Sequence, residues 1–336
     1  MSILKRELGA ENLQANFAYL NSSEIVNDYD SCYPWSDMKI VEDSNGNKWL
    51  QIPKFYTKYE LDKDGYISAR YISRYNVNED WHLNPIFLNS WGKELSSVEI
   101  ACYQIGVDSL THTPVSKAGY SVDRGRAIAE MRSLVDNYDL DERYDYSLYN
   151  IWAHMLVQDL FMVEYANSNI GDVLPGYCYT EYSKKMLQTG ELDKINYHTG
   201  TTADKGTSVP EKYGMKYRYL ENIVGNGITV LDGIICNGET IKVTINNSEK
   251  EAKIKRLSTS GKVAKLSFDD ETKLVFPTVV NDGGTYGDNY RGNSATNQII
   301  IVGRQDDNGY GLFSYGFIDK NSSHQYGTYR MIRKQK

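Results

Sequence analysis

The stretch DYSLYNIWAHMLVQDLFMVEYANSN, residues 145–169, carries the strongest helical pattern in the chain. Its large apolar side chains recur at the i, i+4, i+7 and i+8 spacing that gathers them on one face of a helix. These side chains are Leu148, Trp152, Met155, Leu156, Leu160 and Val163. Asn150, His154 and Gln158 follow another face. The pattern therefore predicts an amphipathic helix that packs against a sheet.

A second helical pattern precedes this one in VDRGRAIAEMRSLVDNY, residues 122–138. Its apolar face consists of Ile128, Met131, Leu134 and Val135. Asp123 has the side chain of a helix N-cap, so we expect the helix to begin there. A further candidate helix, GAENLQANFAYL, occupies residues 9–20 of a polar amino-terminal segment.

Strand patterns flank both helices. Residues 55–61 alternate between two faces, and the DKDG sequence at residues 62–65 supplies a turn, so this region predicts a β-hairpin. After about residue 170 the chain consists of short β-like runs such as ETIKVTI, VAKLSF, TKLVFPTVV and NQIIIVG. Two helices followed by many short strands favour an α+β fold with a largely antiparallel sheet.

Composition narrows the classes of partner. The chain has 336 residues, a formal net charge of −7 and no cluster of basic residues among aromatics, which argues against nucleic acid. No run of 18 apolar residues and no signal-peptide core occurs, so we expect synthesis in a cytoplasm and no membrane association. Four cysteines lie far apart, at Cys32, Cys102, Cys178 and Cys236, and we interpret them as buried thiols.

Tyrosine is the unusual residue, with 28 Tyr beside 8 Phe. Tyrosine joins a rigid aromatic face to a hydroxyl and is enriched on recognition surfaces. The same count would also arise if Tyr replaced Phe in half-exposed strands. Both interpretations remain open at the level of composition.

Several segments, taken in order, resemble a family of tailed-phage and prophage virion proteins. The family carries a C-type-lectin-like domain of the formylglycine-generating-enzyme type. The segments are YPWSDMK (33–39), IPKFYTK (52–58), HLNPIFLNSWGKELSSVEIACYQ (82–104), MLVQDLFMVEYANSN (155–169), YRYLENIVGNGITVLDG (217–233), YRGNSATNQIIIVGRQDDNGYGLFSYGFI (290–318) and YGTYRMI (326–332). Each motif is weak alone, but their order is fairly specific.

The resemblance implies a lectin-like domain over residues 33–336, with a β-rich amino-terminal part, and an attachment segment over residues 1–32. It implies a location in the virion tail, contact with other tail proteins through that segment, and recognition of a glycan or protein receptor on a bacterial surface. Several copies acting together, in a homo-oligomer such as a trimer, would strengthen weak contacts. In some relatives a retroelement diversifies the carboxyl-terminal binding face.

The resemblance places the corresponding face of this chain in residues 286–317. The candidate ligand-binding residues are Tyr286, Asn289, Tyr290, Asn293, Arg304, Gln305, Asp307, Asn308, Tyr310, Phe313, Tyr315 and Phe317. In GLFSYGFI, residues 311–318, alternation places the three aromatics on one side and Leu312 and Ile318 on the other. We expect Leu312 and Ile318 to point inwards and the aromatic row to be exposed. The alternative is that the aromatic row is core and only the loop before it is exposed.

Catalytic patterns are weak by comparison. Enzymes of this fold hold copper through cysteines near the chain end, and no cysteine follows Cys236. The five histidines lack metal-ligand spacing, and His82 and His154 are interpreted as packing or hydrogen-bonding residues. We therefore expect no catalysis, metal or cofactor. The alternatives are a virion decoration or baseplate protein and, more remotely, a hydrolase of a surface polymer.

Overall fold

The computed structural model describes residues 3–7, 29–138, 141–176, 186–202, 214–303 and 311–336. Within these segments the protein belongs to the α+β class and consists mainly of strands. Its helices are α1 (Ile128–Asp136), α2 (Ile151–Tyr165) and α3 (Ile170–Val173), with short 3₁₀ turns at Tyr29–Ser31, Trp35–Asp37 and Pro85–Phe87.

The strands that precede α2 form the amino-terminal sheets. In chain order they are β1 (Ile3–Glu7), β2 (Lys39–Glu42), β3 (Lys48–Pro53), β4 (Tyr56–Leu61), β5 (Ile67–Ser73), β6 (His82–Leu83), β7 (Ser97–Ala101), β8 (Gly106–Val107), β9 (Pro114–Val115) and β10 (Tyr144–Leu148). One sheet has the order β1-β5-β4-β6, and β8 pairs with β9. The hairpin predicted around residues 62–65 is confirmed as β4 and β5.

The strands after α2 form the larger part of the molecule. They are β11 (Gly200–Thr201), β12 (Met215–Tyr217), β13 (Leu220–Glu221), β14 (Ile228–Val230), β15 (Ile234–Asn237), β16 (Thr240–Ile245), β17 (Ser248–Lys255), β18 (Gly261–Asp269), β19 (Leu274–Asn281), β20 (Asn289–Tyr290), β21 (Gln298–Val302), β22 (Tyr315–Asp319), β23 (Gly327–Thr328) and β24 (Met331–Gln335). The predicted succession of short strands is confirmed.

Most of these strands join one ten-stranded sheet. Its main path is β17-β16-β15-β21-β22-β20-β18-β19, and β14 attaches to β21 and β23. Strand β24 instead returns to the amino-terminal part, in a sheet of order β10-β24-β7-β3-β2. The described strands pair antiparallel except for β14 with β23 and β20 with β22, which agrees with the predicted antiparallel sheet.

Helix α2 lies in the main hydrophobic core. All its side chains from Ile151 to Glu164 are buried, so the prediction of an amphipathic helix is wrong for α2. A helix enclosed by packed elements has no solvent-facing stripe. Its polar side chains, His154 among them, hydrogen-bond to protein groups instead of water.

The helix also begins later than the apolar pattern does. Leu148 belongs to β10, where it pairs with Met331 of β24. The helix starts at Ile151, and the Asn150 side chain accepts a hydrogen bond from the Ala153 backbone nitrogen at 3.0 Å. Asn150 is therefore the N-cap of α2 and not part of its polar face.

Helix α1 is amphipathic as predicted, but it does not begin at the predicted residue. Its buried residues are Ile128, Met131 and Val135. The N-cap position is Ala127, which makes no side-chain cap. Asp123 lies outside the helix and accepts a hydrogen bond from Nε of Arg126 at 2.7 Å, so the predicted Asp123 cap is wrong.

The core extends slightly before the predicted domain boundary at residue 33. Tyr29 and Cys32 are buried in the main core. The candidate helix at residues 9–20 lies outside the described residues. An attachment role for residues 1–32 stays a prediction.

The described cysteines are buried free thiols, as predicted: Cys32, Cys102 and Cys236. Burial raises the pKa of Cys102 and of Cys236 to about 12. Both therefore remain protonated and unreactive near neutral pH. Cys178 lies outside the described residues.

Candidate ligand-binding site

The structure divides the predicted ligand-binding residues into three groups. Outside the described residues lie Arg304, Gln305, Asp307, Asn308 and Tyr310. Buried are Tyr286, Tyr290, Phe313 and Tyr315. Half-buried are Asn289, Asn293 and Phe317. Because buried rings cannot meet a ligand, the prediction of an exposed contact surface is wrong for the second group.

The reason lies in the position of β22 within the ten-stranded sheet. Phe313 and Tyr315 belong to the main core, and Phe317 packs against it. Ile318, on the other side, packs against a second core. Both faces of β22 are therefore covered, and Leu312 is buried as predicted. The alternative in which the aromatic row is core is the one that the structure supports.

Polar side chains of α2 fix the segment before β22. His154 Nε2 lies 2.7 Å from the carbonyl oxygen of Leu312. Gln158 Nε2 donates to the same carbonyl at 2.6 Å and to the Tyr315 hydroxyl at 3.0 Å. Burial lowers the pKa of His154 to about 4, so the imidazole is neutral and the interpretation of His154 as a hydrogen-bonding residue is confirmed.

An ion pair lies beside these contacts. Arg70 and Asp159 are both buried, and Arg70 Nη1 pairs with Asp159 Oδ1. The hydroxyl of Tyr59 donates to Asp159 Oδ2 at 2.8 Å. The guanidinium of Arg70 lies 5.6 Å from the ring centroid of Phe313. The buried members of the predicted binding face thus belong to a polar and aromatic core.

Asp288 completes this region. Its Oδ2 accepts a hydrogen bond from the Phe313 backbone nitrogen at 2.7 Å, whereas its buried Oδ1 has no hydrogen-bond partner among the described residues. Burial raises the pKa of Asp288 to about 8. A Cβ atom on Gly311 would collide with this carboxyl group, so the close approach requires glycine.

An open cleft of about 650 Å³ lies elsewhere on the molecule. It is bounded by the end of α1, strand β10, the first turn of α2 and the β16–β17 hairpin, and residues 88–90, 232–233 and Lys334 complete its wall. Ligand sites in proteins usually have volumes of this order and combine apolar walls with a few polar groups. We call this region the cleft.

The β16–β17 hairpin forms one edge of the cleft. Its two-residue turn consists of Asn246 and Asn247, whose φ angles are 49° and 60°. These left-handed values are typical of a two-residue hairpin turn and are tolerated by Asn. The Trp152 Nε1 atom donates to the Thr244 carbonyl at 2.7 Å and ties the hairpin to α2. Both turn side chains are exposed at the cleft.

A second turn carries the most exposed tryptophan. Asn89 Oδ1 accepts hydrogen bonds from the backbone nitrogens of Trp91 at 3.1 Å and Lys93 at 2.9 Å. A Cβ atom on Gly92 would lie 3.2 Å from Nδ2 of Asn246, so the two turns touch. Trp91 is 74% exposed; it directly follows the lining residues Asn89 and Ser90 and does not itself line the cleft. Its position is fixed by the turn, although its ring faces solvent. We call this turn, residues 89–93, the rim.

An ion pair holds the opposite wall. Arg132 of α1 binds Asp232 through two hydrogen bonds, from Nε to Oδ2 at 3.0 Å and from Nη2 to Oδ1 at 2.5 Å. This parallel geometry is the strong form of an arginine–carboxylate pair. Asp136, one turn further along α1, is exposed at the cleft. The wall therefore presents two carboxylates, of which Asp232 is held in place by Arg132.

The sheet side of the cleft pairs Asp145 with Lys334, which lie opposite each other on β10 and β24. Lys334 Nζ donates to the Leu88 carbonyl at 2.9 Å. Burial lowers the pKa of Lys334 to about 8, and Asp145 opposes that shift. The ammonium group of Lys334 is thus hydrogen-bonded within the protein. Asp145 is half-buried.

A separate cluster joins Asp30 to the segment 197–199. Thr199 Oγ1 lies 2.8 Å from His198 Nδ1, and His198 Nε2 lies 3.0 Å from Asp30 Oδ1. A hydroxyl, an imidazole and a carboxylate in this order can serve nucleophilic catalysis. Here, however, Thr199 Oγ1 also accepts from the Arg218 backbone nitrogen at 3.0 Å, and Asp30 pairs with the Arg218 side chain. These additional contacts with Arg218 indicate that the cluster has a structural role.

The same cluster presents aromatic surface. Arg218 and Tyr219 form a two-residue turn with φ angles of 46° and 69°, a conformation that disfavours such side chains. Arg218 is held in it by Glu164, whose Oε1 lies 2.6 Å from Nη2. Tyr197 and Tyr219 are exposed beside it. This cluster is a second exposed feature of the described surface.

No protein-family model matches the chain, and no curated protein matches it. Across the described segments, no group of three or more His, Cys, Asp or Glu side chains is placed to hold a metal ion. None of the helices in those segments is long and apolar enough to cross a membrane.

Proposed function

We propose that the protein is a non-catalytic receptor-binding protein of a phage or prophage virion, and that it takes up a bacterial surface ligand in the cleft. The observation that carries the proposal is the open cleft of about 650 Å³, together with the 74% exposed Trp91, which directly follows the lining residues Asn89 and Ser90. Exposed aromatic anchors beside adaptable polar groups are typical of binding surfaces.

The assignment to a virion and to the formylglycine-generating-enzyme type of lectin-like fold belongs to this proposal. Its support is the ordered series of motifs between residues 33 and 333, together with the α+β class and short antiparallel strands. Attachment through residues 1–32 and assembly as a homo-oligomer are parts of the same proposal. A contribution of the loop 304–310 to ligand binding also stays a prediction.

The exposed Tyr197 and Tyr219 favour a second candidate, a decoration or baseplate protein that contacts neighbouring virion subunits. Aromatic side chains are enriched at such interfaces. Under this candidate the cleft would have no ligand on cells. The hydroxyl–imidazole–carboxylate cluster at Thr199 keeps a hydrolase as the remoter alternative.

The test is binding of the fluorescently labelled full chain to a panel of candidate host bacteria. We expect at least one host to bind the wild-type protein, and Trp91→Ala to weaken that binding by about tenfold or more, which corresponds to roughly 1.4 kcal/mol. Trp91→Phe should retain part of the affinity because it keeps a flat aromatic ring.

Leu110→Ala is the matched control, since Leu110 is 90% exposed and belongs to a separate turn around Asp108, not to the turn next to the cleft. It should bind like the wild type. Loss of binding in Leu110→Ala as well would show a nonspecific surface effect. If no bacterium binds the wild-type protein, the receptor-binding proposal fails and the decoration protein takes its place.

A further inference from the structure

We infer that the cleft binds a non-acidic, hexosamine-containing glycan, with one sugar ring stacked on the indole of Trp91. The inference rests on the proposed function, because it names the ligand class of the same cleft. Three features support it: the exposed indole next to the cleft, the hydrogen-bond acceptors that line the cleft, and the excess of negative charge on the lining.

The exposed indole is the first feature. The chain has five tryptophans, all in described segments, and the other four are buried: Trp35, Trp49, Trp81 and Trp152. Trp91 therefore has no packing role comparable to theirs. An indole offers a broad apolar face that matches the C–H face of a sugar ring, and a polar N–H for a hydroxyl. Because Asn89 already holds the turn, little ordering is needed on binding.

The hydrogen-bonding capacity of the lining is the second feature. Ionised carboxylates accept hydrogen bonds and donate none. Asp136, Asp145 and Glu249 all line the cleft, so its surface is rich in acceptors. The exposed amides of Asn246 and Asn247 add both donors and acceptors. A ligand with many hydroxyl and N–H donors, which is the chemistry of a hexosamine glycan, fits this lining.

Net charge is the third feature. Four carboxylates and two cations line the cleft, namely Asp136, Asp145, Asp232, Glu249, Arg132 and Lys334. Both cations are used by the protein, because Arg132 binds Asp232 and Lys334 donates to a backbone carbonyl. Each therefore has fewer donors left to receive an acidic group of a ligand.

The remaining carboxylates are only loosely neutralised. Lys336 Nζ lies 3.9 Å from Asp145, and Lys242 Nζ lies 3.7 Å from Glu249. The side chains of both pairs are 41–57% exposed, and ion pairs with this exposure contribute little in water. An acidic sugar would therefore meet a lining with four carboxylates against two cations, whereas an amine would be attracted.

The experiment titrates the full chain with three tetrasaccharides, followed by tryptophan fluorescence and calorimetry. The probes are tetraglucosamine, its N-acetylated form chitotetraose, and tetragalacturonate. At low salt, tetraglucosamine should bind at least about tenfold more tightly than tetragalacturonate, and high salt should narrow the gap because it screens exposed charges. Chitotetraose should bind with little dependence on salt.

Variants locate the effect. Trp91→Ala should weaken binding of both hexosamine tetramers by about tenfold or more, and Leu110→Ala should leave it unchanged. The double variant Asp136→Asn, Glu249→Gln should reduce the preference for tetraglucosamine over chitotetraose. Because the substituted positions lie outside the core, we expect all of these variants to fold, and circular dichroism checks this.

Two results overturn the inference. One is tetragalacturonate that binds as tightly as tetraglucosamine at low salt. The other is cell binding that depends on Trp91 while neither hexosamine tetramer binds, which would leave the proposed function standing with a different ligand class. Conversely, tight binding of tetraglucosamine without binding to any cell would support the ligand class and contradict the host-receptor role.

Discussion

Strand β22 and the cleft both combine aromatic rings with polar partners, but they expose them differently. Around β22, Phe313 and Tyr315 are at most 2% exposed and their polar neighbours bond to one another. At the cleft, Trp91 is 74% exposed although its backbone is equally well fixed. A fixed backbone is common to both regions, whereas only Trp91 is exposed to solvent.

The difference follows from how each region is assembled. Strand β22 lies inside a ten-stranded sheet with packed side chains on both faces. The cleft lies where two turns and a helix end meet, and none of the described segments forms another layer above them. Aromatic residues in a sequence therefore become contact residues through the position of their element and not through their composition.

The largest effect on the free energy of unfolding is expected when the buried ion pair beside β22 is broken. Asp159→Leu leaves the charge of Arg70 buried without a partner, and should lower the free energy of unfolding by about 3–5 kcal/mol. The double variant Asp159→Leu, Arg70→Met should recover much of this loss. Urea unfolding measures both.

The cleft supplies the control for that pair. Glu249→Gln removes one partner of the exposed Lys242–Glu249 contact and should change the free energy of unfolding by less than about 1 kcal/mol. Equal losses in Asp159→Leu and Glu249→Gln would contradict the distinction between the two regions.

The buried carboxyl group of Asp288, beside β22, should make the stability of the protein depend on pH. The pKa of Asp288 is about 8 in the folded protein, against an ordinary value of 3.8. Between these values the folded state holds a proton that the unfolded state has lost. The contribution of Asp288 to the free energy of unfolding is therefore fully present below about pH 4. As the pH rises from there to about pH 8, this contribution decreases by up to about 1.4 kcal/mol per pH unit.

Asp288→Asn isolates this effect, because an amide stays neutral throughout and resembles the protonated acid. The difference in unfolding free energy between wild type and Asp288→Asn should change steadily across that range, to the disadvantage of the wild type as pH rises. Urea unfolding at several pH values measures it. A difference that is independent of pH would show that Asp288 is ionised in the folded protein.

The smallest expected effect on stability is at the cleft rim. Trp91→Ala should change the free energy of unfolding by less than about 0.5 kcal/mol, because the ring packs little. Phe313→Ala should cost about 3–5 kcal/mol, because it opens a cavity in the core. Thermal and urea unfolding of the two variants compare them directly, and a large loss in Trp91→Ala would mean that the ring is part of the core.

The sequence predicted the α+β class, both longer helices and the short strands, because hydrophobic period follows local geometry. It missed the surroundings of each element. Alternation in GLFSYGFI is the same whether β22 has one covered face or two, and the apolar stripe of α2 did not reveal that His154 and Gln158 are also enclosed.

The cleft could not be predicted because its residues come from separate segments, including 132–136, 145–152 and 244–249. Two local signals did point to its rim. The Asn246–Asn247 pair between two strand patterns is typical of a tight hairpin turn, and the sequence NSWGK places Trp91 beside a turn glycine. Neither signal states which turns meet.

The most direct test is tryptophan oxidation by N-bromosuccinimide, read by mass spectrometry on the free protein and on protein bound to host cells. Trp91 should be oxidised first in the free protein, since the other four tryptophans are buried, and should be protected when the protein is bound. Equal oxidation of Trp91 in both states would contradict the claim that the ligand occupies the cleft.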